Sequence, residues 1–229
     1  MKKSLCIFIF LILFYFFIAD INEGLVAYYP FTNGSTEDFS GNGNHGINYG
    51  AVTTEDRFNN ENFAYYFDDN NHYIELSNPN NLISNSITHS AWFKSSFTDG
   101  EITGQDVNHF HSELQINGSG QAHFWMEDQD DDDYQVVSTE AIIDDSWHHV
   151  AGTYNIDTGY MAIYIDGILI DDENHYFTPI TNISNFFIGS EDIGHLGSDY
   201  FHGKIDDVRI YNRPLSESEM TFSHFLGHL

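Results

Sequence analysis

Cysteine is nearly missing from this chain of 229 residues: the one present is Cys6, inside an apolar N-terminal stretch. Without that stretch no disulfide framework is possible, so stability must come from a packed core or from a bound ion. Cations are scarce too, 7 Lys and Arg against 35 Asp and Glu, for a formal net charge of −28. A surface of that sign repels phosphate backbones and anionic lipid, which excludes nucleic acid and anionic membranes as expected partners. Halophilic adaptation would leave the same imprint. There is no strand–helix–strand rhythm, tandem repeat or long linker. No nucleophilic serine motif or phosphate-binding glycine loop occurs. The 13 histidines include no His-Glu-x-x-His and no Cys/His zinc spacing. His109 and His111 stand two apart, the spacing that puts both on one face of a strand, and are the best zinc pair the sequence offers.

The N-terminus has the layout of an export signal. Lys2 and Lys3 precede an uncharged run from Leu5 to Ala19, which is too short for a comfortable membrane span. Cleavage near Ala19 is expected, although Phe17 is large for a processing site. The alternative is a retained N-terminal anchor, the one route by which a membrane would be a partner. Residues 1–20 are therefore assigned as a signal peptide and 21–229 as one domain, secreted or on the cell surface.

That domain reads as many short strands separated by turns, the pattern of a sandwich or barrel. Expected strands run over 24–31, 46–52, 64–67, 73–76, 86–95, 101–104, 112–117, 121–127, 134–139, 147–154, 160–166, 168–170, 186–189 and 200–211. In the strand over 160–166, Met161, Ile163 and Ile165 alternate against Ala162, Tyr164 and Asp166. Asp166-Gly167 is a two-residue hairpin turn. Ser216 and Glu219 have capping-box spacing, so a short helix is expected from about Ser216.

Four stretches carry a family resemblance. They are Gly24–Phe31, the loop Asp38-Phe-Ser-Gly-Asn-Gly-Asn-His-Gly46, the run Ser146–Tyr154 with Tyr164–Gly167, and Phe201–Ser216. In this order they resemble the laminin-G-like jelly-roll modules of the concanavalin A-like lectin/glucanase superfamily. The resemblance implies an all-β, antiparallel two-sheet sandwich whose first and last strands are neighbours, and a non-catalytic role in binding or adhesion. It also implies a structural Ca2+ held by Asp38, carbonyls of Asn42, Gly43 and Asn44, and Asp206. Two carboxylates, loop carbonyls and water would complete the roughly six to eight oxygens that calcium takes. The alternatives are a plain Asn/Gly surface loop and pairing of Asp207 with Arg209.

The Glu-x-Asp-x-Glu pattern of retaining glucanases on this fold is absent. The acidic run Glu127 to Asp133 alternates faces and repels itself, so it reads as a solvated hairpin, with a weak second cation site as the alternative. Aromatic residues make up 16% of the chain, most of them needed in the core. Tyr65, Tyr73, Trp125 and Tyr134 lie near polar loops and are the candidates for stacking on a sugar ring. The function expected is thus a secreted binding or adhesion module for carbohydrate or an extracellular protein. Alternatives are a divergent glycoside hydrolase or lyase and a structural cell-surface protein. Acidic residues brought together on one sheet face would favour the hydrolase.

Overall fold

The computed structural model describes residues 21–105, 112–130, 132–179, 185–190 and 200–226. Every strand pairing within them is antiparallel, and the strands form two sheets. Sheet A runs β13 (Ile168–Asn174), β12 (Tyr160–Ile165), β11 (His148–Asn155), β6 (Ile87–Lys94), β15 (His202–Tyr211), β4 (Ala64–Asp68) and β3 (Val52–Thr54), with β1 (Leu25–Tyr29) also on β15. Sheet B runs β10 (Asp133–Ala141), β9 (Gln121–Glu127), β8 (Ser112–Ile116), β7 (Gly100–Gly104), β14 (Phe187–Ile188), β5 (Tyr73–Leu76) and β2 (Gly46–Tyr49). The long strand β15 serves two partners along one edge. Its first half pairs β4 through Ile205, and its second half pairs β1 from Val208. Between them Asp207 takes a left-handed φ of 50° at a register shift against β6. The first and last strands are therefore neighbours, as the resemblance implied.

Alternation explains which side chains fill the interior. Phe93, Phe124, Phe186, Phe201, Ile102, Ile163 and Ile205 meet between the sheets. Gly152 leaves room for the Phe124 ring, since a Cβ there would lie 2.2 Å from it. A second apolar layer forms on the outside of sheet A. Ala151, Ala162, Tyr164, Tyr211, Leu215 and Met220 close under helix α1 (Glu217–Phe225). The two faces of β12 thus follow the alternation of Met161, Ile163 and Ile165 against Ala162 and Tyr164. Strand β6 has no solvent-facing side. It is central in sheet A with α1 over its outer side, and every residue from Ile87 to Phe93 is buried.

The helix is capped as its spacing predicts. Ser216 Oγ accepts from the Glu219 amide, and Glu219 Oε2 accepts from the Ser216 amide at 2.8 Å. The Asp166-Gly167 turn has φ of 52° and 75°, the positive pair of a type I′ hairpin. The stretch 46–52 is not one strand. Gly50 turns at φ 92° and passes over the His72 ring, where a Cβ would lie 2.3 Å away. Asn48 brackets the turn, its amide bonding Ala51 in both directions at 2.8 and 2.9 Å. The chain thereby leaves sheet B as β2 and enters sheet A as β3.

Two histidine rings are enclosed with hydroxyls as their hydrogen-bond partners. His89 bonds Thr103 at 3.0 Å and Ser112 at 3.3 Å between the sheets. His149 bonds Ser223 at 3.3 Å beneath α1. Burial pushes both down to about 3, helped at His149 by Arg209 and His224. Both stay neutral when folded yet take up a proton near pH 6.5 when unfolded, so they withdraw stability as pH falls from about 6.5 toward 3. His148, half-buried and raised through its bond to Asp166, acts in the opposite sense, adding stability at low pH that is lost as pH rises. A matched pair isolates one group. The stability advantage of wild type over His89→Gln is expected to shrink by about 1.4 kcal/mol per pH unit below pH 6.5. Denaturant unfolding at pH 7.5, 6.0 and 5.0 measures it, and a constant difference would refute the neutral buried imidazole.

Candidate functional site

The loop Asp38–Gly46 closes the free edge of β1. Asp38 Oδ1 accepts from the Tyr28 amide at 3.0 Å and the Ser40 amide at 2.8 Å. Its Oδ2 accepts from Ser40 Oγ at 2.9 Å and the Asn44 amide at 3.0 Å. The Asn42 side-chain amide donates to Leu25 O at 3.0 Å, and that of Asn44 to Val26 O at 2.8 Å. Tyr29 donates its hydroxyl to the Asn44 carbonyl. Side chains here do the work of a missing neighbouring strand, which protects an edge from foreign pairing. Gly41 and Gly43 supply positive φ of 90° and 77°. Burial would raise the Asp38 carboxyl, but the bonds from Ser40, Asn44 and Tyr28 outweigh it and hold the group below its ordinary value.

Asp206 and Asp207 lie at the bulge of β15, fully enclosed. Arg57, from the turn between β3 and β4, reaches both, at 2.9 Å to Asp206 and 2.7 Å to Asp207. The same guanidinium donates to Leu226 O at 2.6 Å and lies over the rings of Phe58 and Trp92 at 4.6 and 4.5 Å. Arg209 approaches Asp207 at 3.4 Å and covers the Tyr28 ring at 4.1 Å. Tyr28 donates its hydroxyl to Asp207 at 2.8 Å while its amide bonds Asp38. Asp38 and Asp206 therefore belong to two networks joined through Tyr28.

In this structure most oxygens that the resemblance assigns to calcium are engaged by protein donors, while Asn44 Oδ1 is buried without a hydrogen-bond partner. A hard cation needs free oxygens converging on one point. Here both Asp38 oxygens receive N–H or O–H donors, and Asp206 faces a guanidinium. The Asn44 carbonyl accepts from Tyr29, and that of Gly43 from Asn78 at 3.3 Å. Among the described residues no group of three or more His, Cys, Asp or Glu is placed to hold a metal. In the acidic run, Asp128 accepts from the Asp130 and Asp132 amides at 2.9 and 3.2 Å and from the Tyr134 hydroxyl at 3.1 Å, a self-contained turn. His109, His111 and Asp131 lie outside the described residues, as do residues 1–20.

The outer face of sheet B gathers polar and aromatic side chains. With Leu114, Phe124 and Val136 turned inward, alternation sends Glu113, Gln115, His123, Trp125 and Gln135 outward. Trp125 stands between Glu113 and Gln135 across neighbouring strands. Gln115 donates to Glu113 at 3.0 Å, and Glu101 on β7 is opposite Gln115. Glu101 and Glu113 are both 1% exposed. Burial holds His123 below its ordinary value against the pull of Gln135 and Glu113. At the far end Tyr49 stacks on Tyr73 at 4.8 Å, and Tyr73 meets the edge of Phe187 at 5.6 Å. Tyr49 is 42% exposed.

Of the four candidate rings, Trp125 and Tyr73 thus share this face, Trp125 half-buried and Tyr73 mostly covered. Tyr65 does not reach it: it is buried against Phe31, with its hydroxyl on Gly34 O at 2.7 Å. Tyr134 is inward of β10 and lies flat on Phe177 at 4.1 Å. Core demand won at both positions. Glu101, Glu113 and Tyr49 were not anticipated, because only strand register places them on the same face as Trp125.

Two antiparallel sheets packed face to face, with ends locked by side chains and one outer face bearing rings and amides, define a jelly-roll β-sandwich. Residues 68–221 match the laminin-G-like family model of the concanavalin A-like lectin/glucanases superfamily, and the chain belongs to that family. No curated protein matches the chain in sequence. Among solved structures, domain 4 of AbnA, a GH43 extracellular arabinanase from Geobacillus stearothermophilus in complex with arabinotriose, superposes with a TM-score of 0.73 at 20% identity, covering 87% of this chain and 98% of that one. The binding domain of Paraclostridial Mosquitocidal Protein 1 gives 0.72 at 17% identity, over 89% of this chain and 52% of its own. The binding domain of botulinum neurotoxin serotype D gives 0.71 at 17%, over 91% and 52%. The chain spans about half of each toxin domain, and at these identities the likeness is one of fold. Among the described residues no helix is long and apolar enough to cross a membrane.

Two perturbations separate the clasp from an ion site. Removing one partner of a buried ion pair costs about 3–5 kcal/mol, so Arg57→Ala is expected to destabilise by that amount in denaturant melts. Asp38→Ala, which orphans three backbone amides at about 1–3 kcal/mol each, is expected to cost at least about 3 kcal/mol. Calcium and chelator are expected to leave the thermal midpoint of wild type unmoved; a rise with calcium that Asp38→Ala abolishes would assign the loop to an ion instead.

Proposed function

We propose that this chain is a secreted or cell-surface, non-catalytic module that binds carbohydrate on the outer face of sheet B. The observation that carries it is the grouping of Trp125 with Gln135, Glu113, Gln115 and His123 in adjacent register positions. An indole, even partly covered as that of Trp125 is, is the ring type that stacks on a pyranose or furanose. The Gln115 and Gln135 amides and the His123 imidazole beside it are donors and acceptors for hydroxyls, while the Glu113 carboxylate is enclosed. Tyr49 extends the same face toward its other end. Support comes from the arabinotriose carried by the domain 4 structure of similar fold. A purely structural surface protein would have no use for such a face.

The hydrolase reading gains one specific observation. Glu101 and Glu113 stand on neighbouring strands of this face, offset by the bulge in β7. Glycoside hydrolysis needs two carboxyls about 5 Å apart for retention or about 6.5–9.5 Å apart for inversion. The amide that Gln115 donates to Glu113 weighs toward a binding role, because it holds that carboxylate as an acceptor.

Calorimetric titration of the full chain with neutral arabino-, xylo- and gluco-oligosaccharides tests the proposal. Trp125→Ala is expected to weaken the sugar that binds by about ten-fold, the equivalent of about 1.4 kcal/mol of ring contact. Unchanged affinity in Trp125→Ala and Tyr49→Ala together would remove the ligand from this face. Release of reducing ends by wild type but not by Glu113→Gln would establish the hydrolase.

A further inference from the structure

The two lysines of the described residues stand side by side. Lys94 on β6 and Lys204 on β15 are directly opposite in register. The arginines are committed elsewhere, Arg57 and Arg209 to Asp206 and Asp207, Arg213 to Glu219 at 2.6 Å. On a chain of net charge −28 the two lysines thus form a local pair of cations on the outer face of sheet A. Like charges directly opposite across strands are unfavourable, so the pairing invites an anion.

The surroundings form a built depression. Lys94, Lys204, Tyr66, Phe97, His202 and Asp145 line a cavity of about 90 Å³. Phe97 lies flat on His202, centroids 3.6 Å apart and planes 5° apart, and is still 48% exposed on its other side. Ser95, itself 3% exposed, sets this ring: its hydroxyl accepts from the Phe97 amide at 2.9 Å and donates to His202 O at 2.7 Å. Tyr66 OH meets His202 Nε2 at 3.0 Å. The lysines face only exposed acids, Asp145 at 3.7 Å and Glu55 at 3.2 Å, which an incoming anion can displace.

We propose that this depression is a second binding site, independent of sheet B, for the carboxylate of an acidic sugar such as a terminal hexuronate. The depression between the two ammonium groups takes the carboxylate. The ring would rest outside, on the open side of Phe97. Only a locally charged ligand suits the site. Screening over about 8 Å at physiological salt lets one carboxylate feel the lysines, whereas a polyanion would extend onto acidic surface and be repelled.

Calorimetry on the full chain with a glucuronic-acid-terminated disaccharide and its glucose-terminated counterpart tests this. The acidic disaccharide is expected to bind at least ten-fold tighter, and more weakly as sodium chloride is raised. K94A/K204A is expected to abolish that preference while melting no lower than wild type, and Phe97→Ala to weaken acidic-sugar binding. Equal affinity for both disaccharides, or a preference that survives K94A/K204A, would overturn the proposal. Competition by sodium acetate as effective as the disaccharide would reduce the site to an anion cradle and overturn the sugar assignment. Trp125→Ala is expected to leave the acidic preference intact, so failure here and failure of the sheet B reading are distinguishable.

Discussion

The two ends of the domain are held by a buried, charge-balanced cluster. Two guanidiniums, Arg57 and Arg209, face two carboxylates, Asp206 and Asp207, with Tyr28 bridging from the cluster to Asp38. Such groups are costly to desolvate, and the cost is met only when each charge has partners on several sides. That requirement explains the surrounding architecture. The bulge at Asp207 turns its side chain to the outside of sheet A, and the end of α1 closes over the cluster, with Leu226 O accepting from Arg57. The first strand, the β3–β4 turn, the last strand and the helix terminus become one unit.

The same economy appears at the edge of β1. A short strand with one partner leaves amides and carbonyls exposed on its other side. The loop Asp38–Gly46 covers them with a carboxylate and two asparagine amides. With the ends secured by these means, both outer faces remain for recognition. Sheet A is half covered by α1 and keeps its lysine pair at the uncovered end. Sheet B carries its rings and amides along neighbouring strands. A sandwich whose interior is filled by Phe, Ile and Tyr can vary those outward residues at little cost to stability, because outward substitutions create no cavity.

Much of the fold was legible in the chain itself. Alternation in β12, the Asp-Gly turn and the Ser216–Glu219 cap depend on neighbours within a few residues, and all three hold. The stretch 46–52 misled because a run of β-formers does not show which sheet each half joins; Gly50 and the His72 ring beneath it decide. The site was less legible. Tyr65 and Tyr134 sit beside polar loops yet serve the core, since a loop-proximal ring can point either way. Arg57 belongs to no motif in the sequence, and its partners lie about 150 positions further along the chain.

The amino-acid sequence by itself determined the class: many short alternating strands, no disulfides, a strongly anionic surface and the order of four family-like stretches are local or additive properties. Tertiary structure decided which carboxylates are buttresses and which face outward. It drew Asp38, Asp206 and Asp207 into hydrogen-bonded networks and brought Glu101, Glu113 and Trp125 onto one face. It also set Lys94 against Lys204. Those outcomes depend on cross-strand register and on what covers each sheet, and a linear chain encodes neither in any one segment.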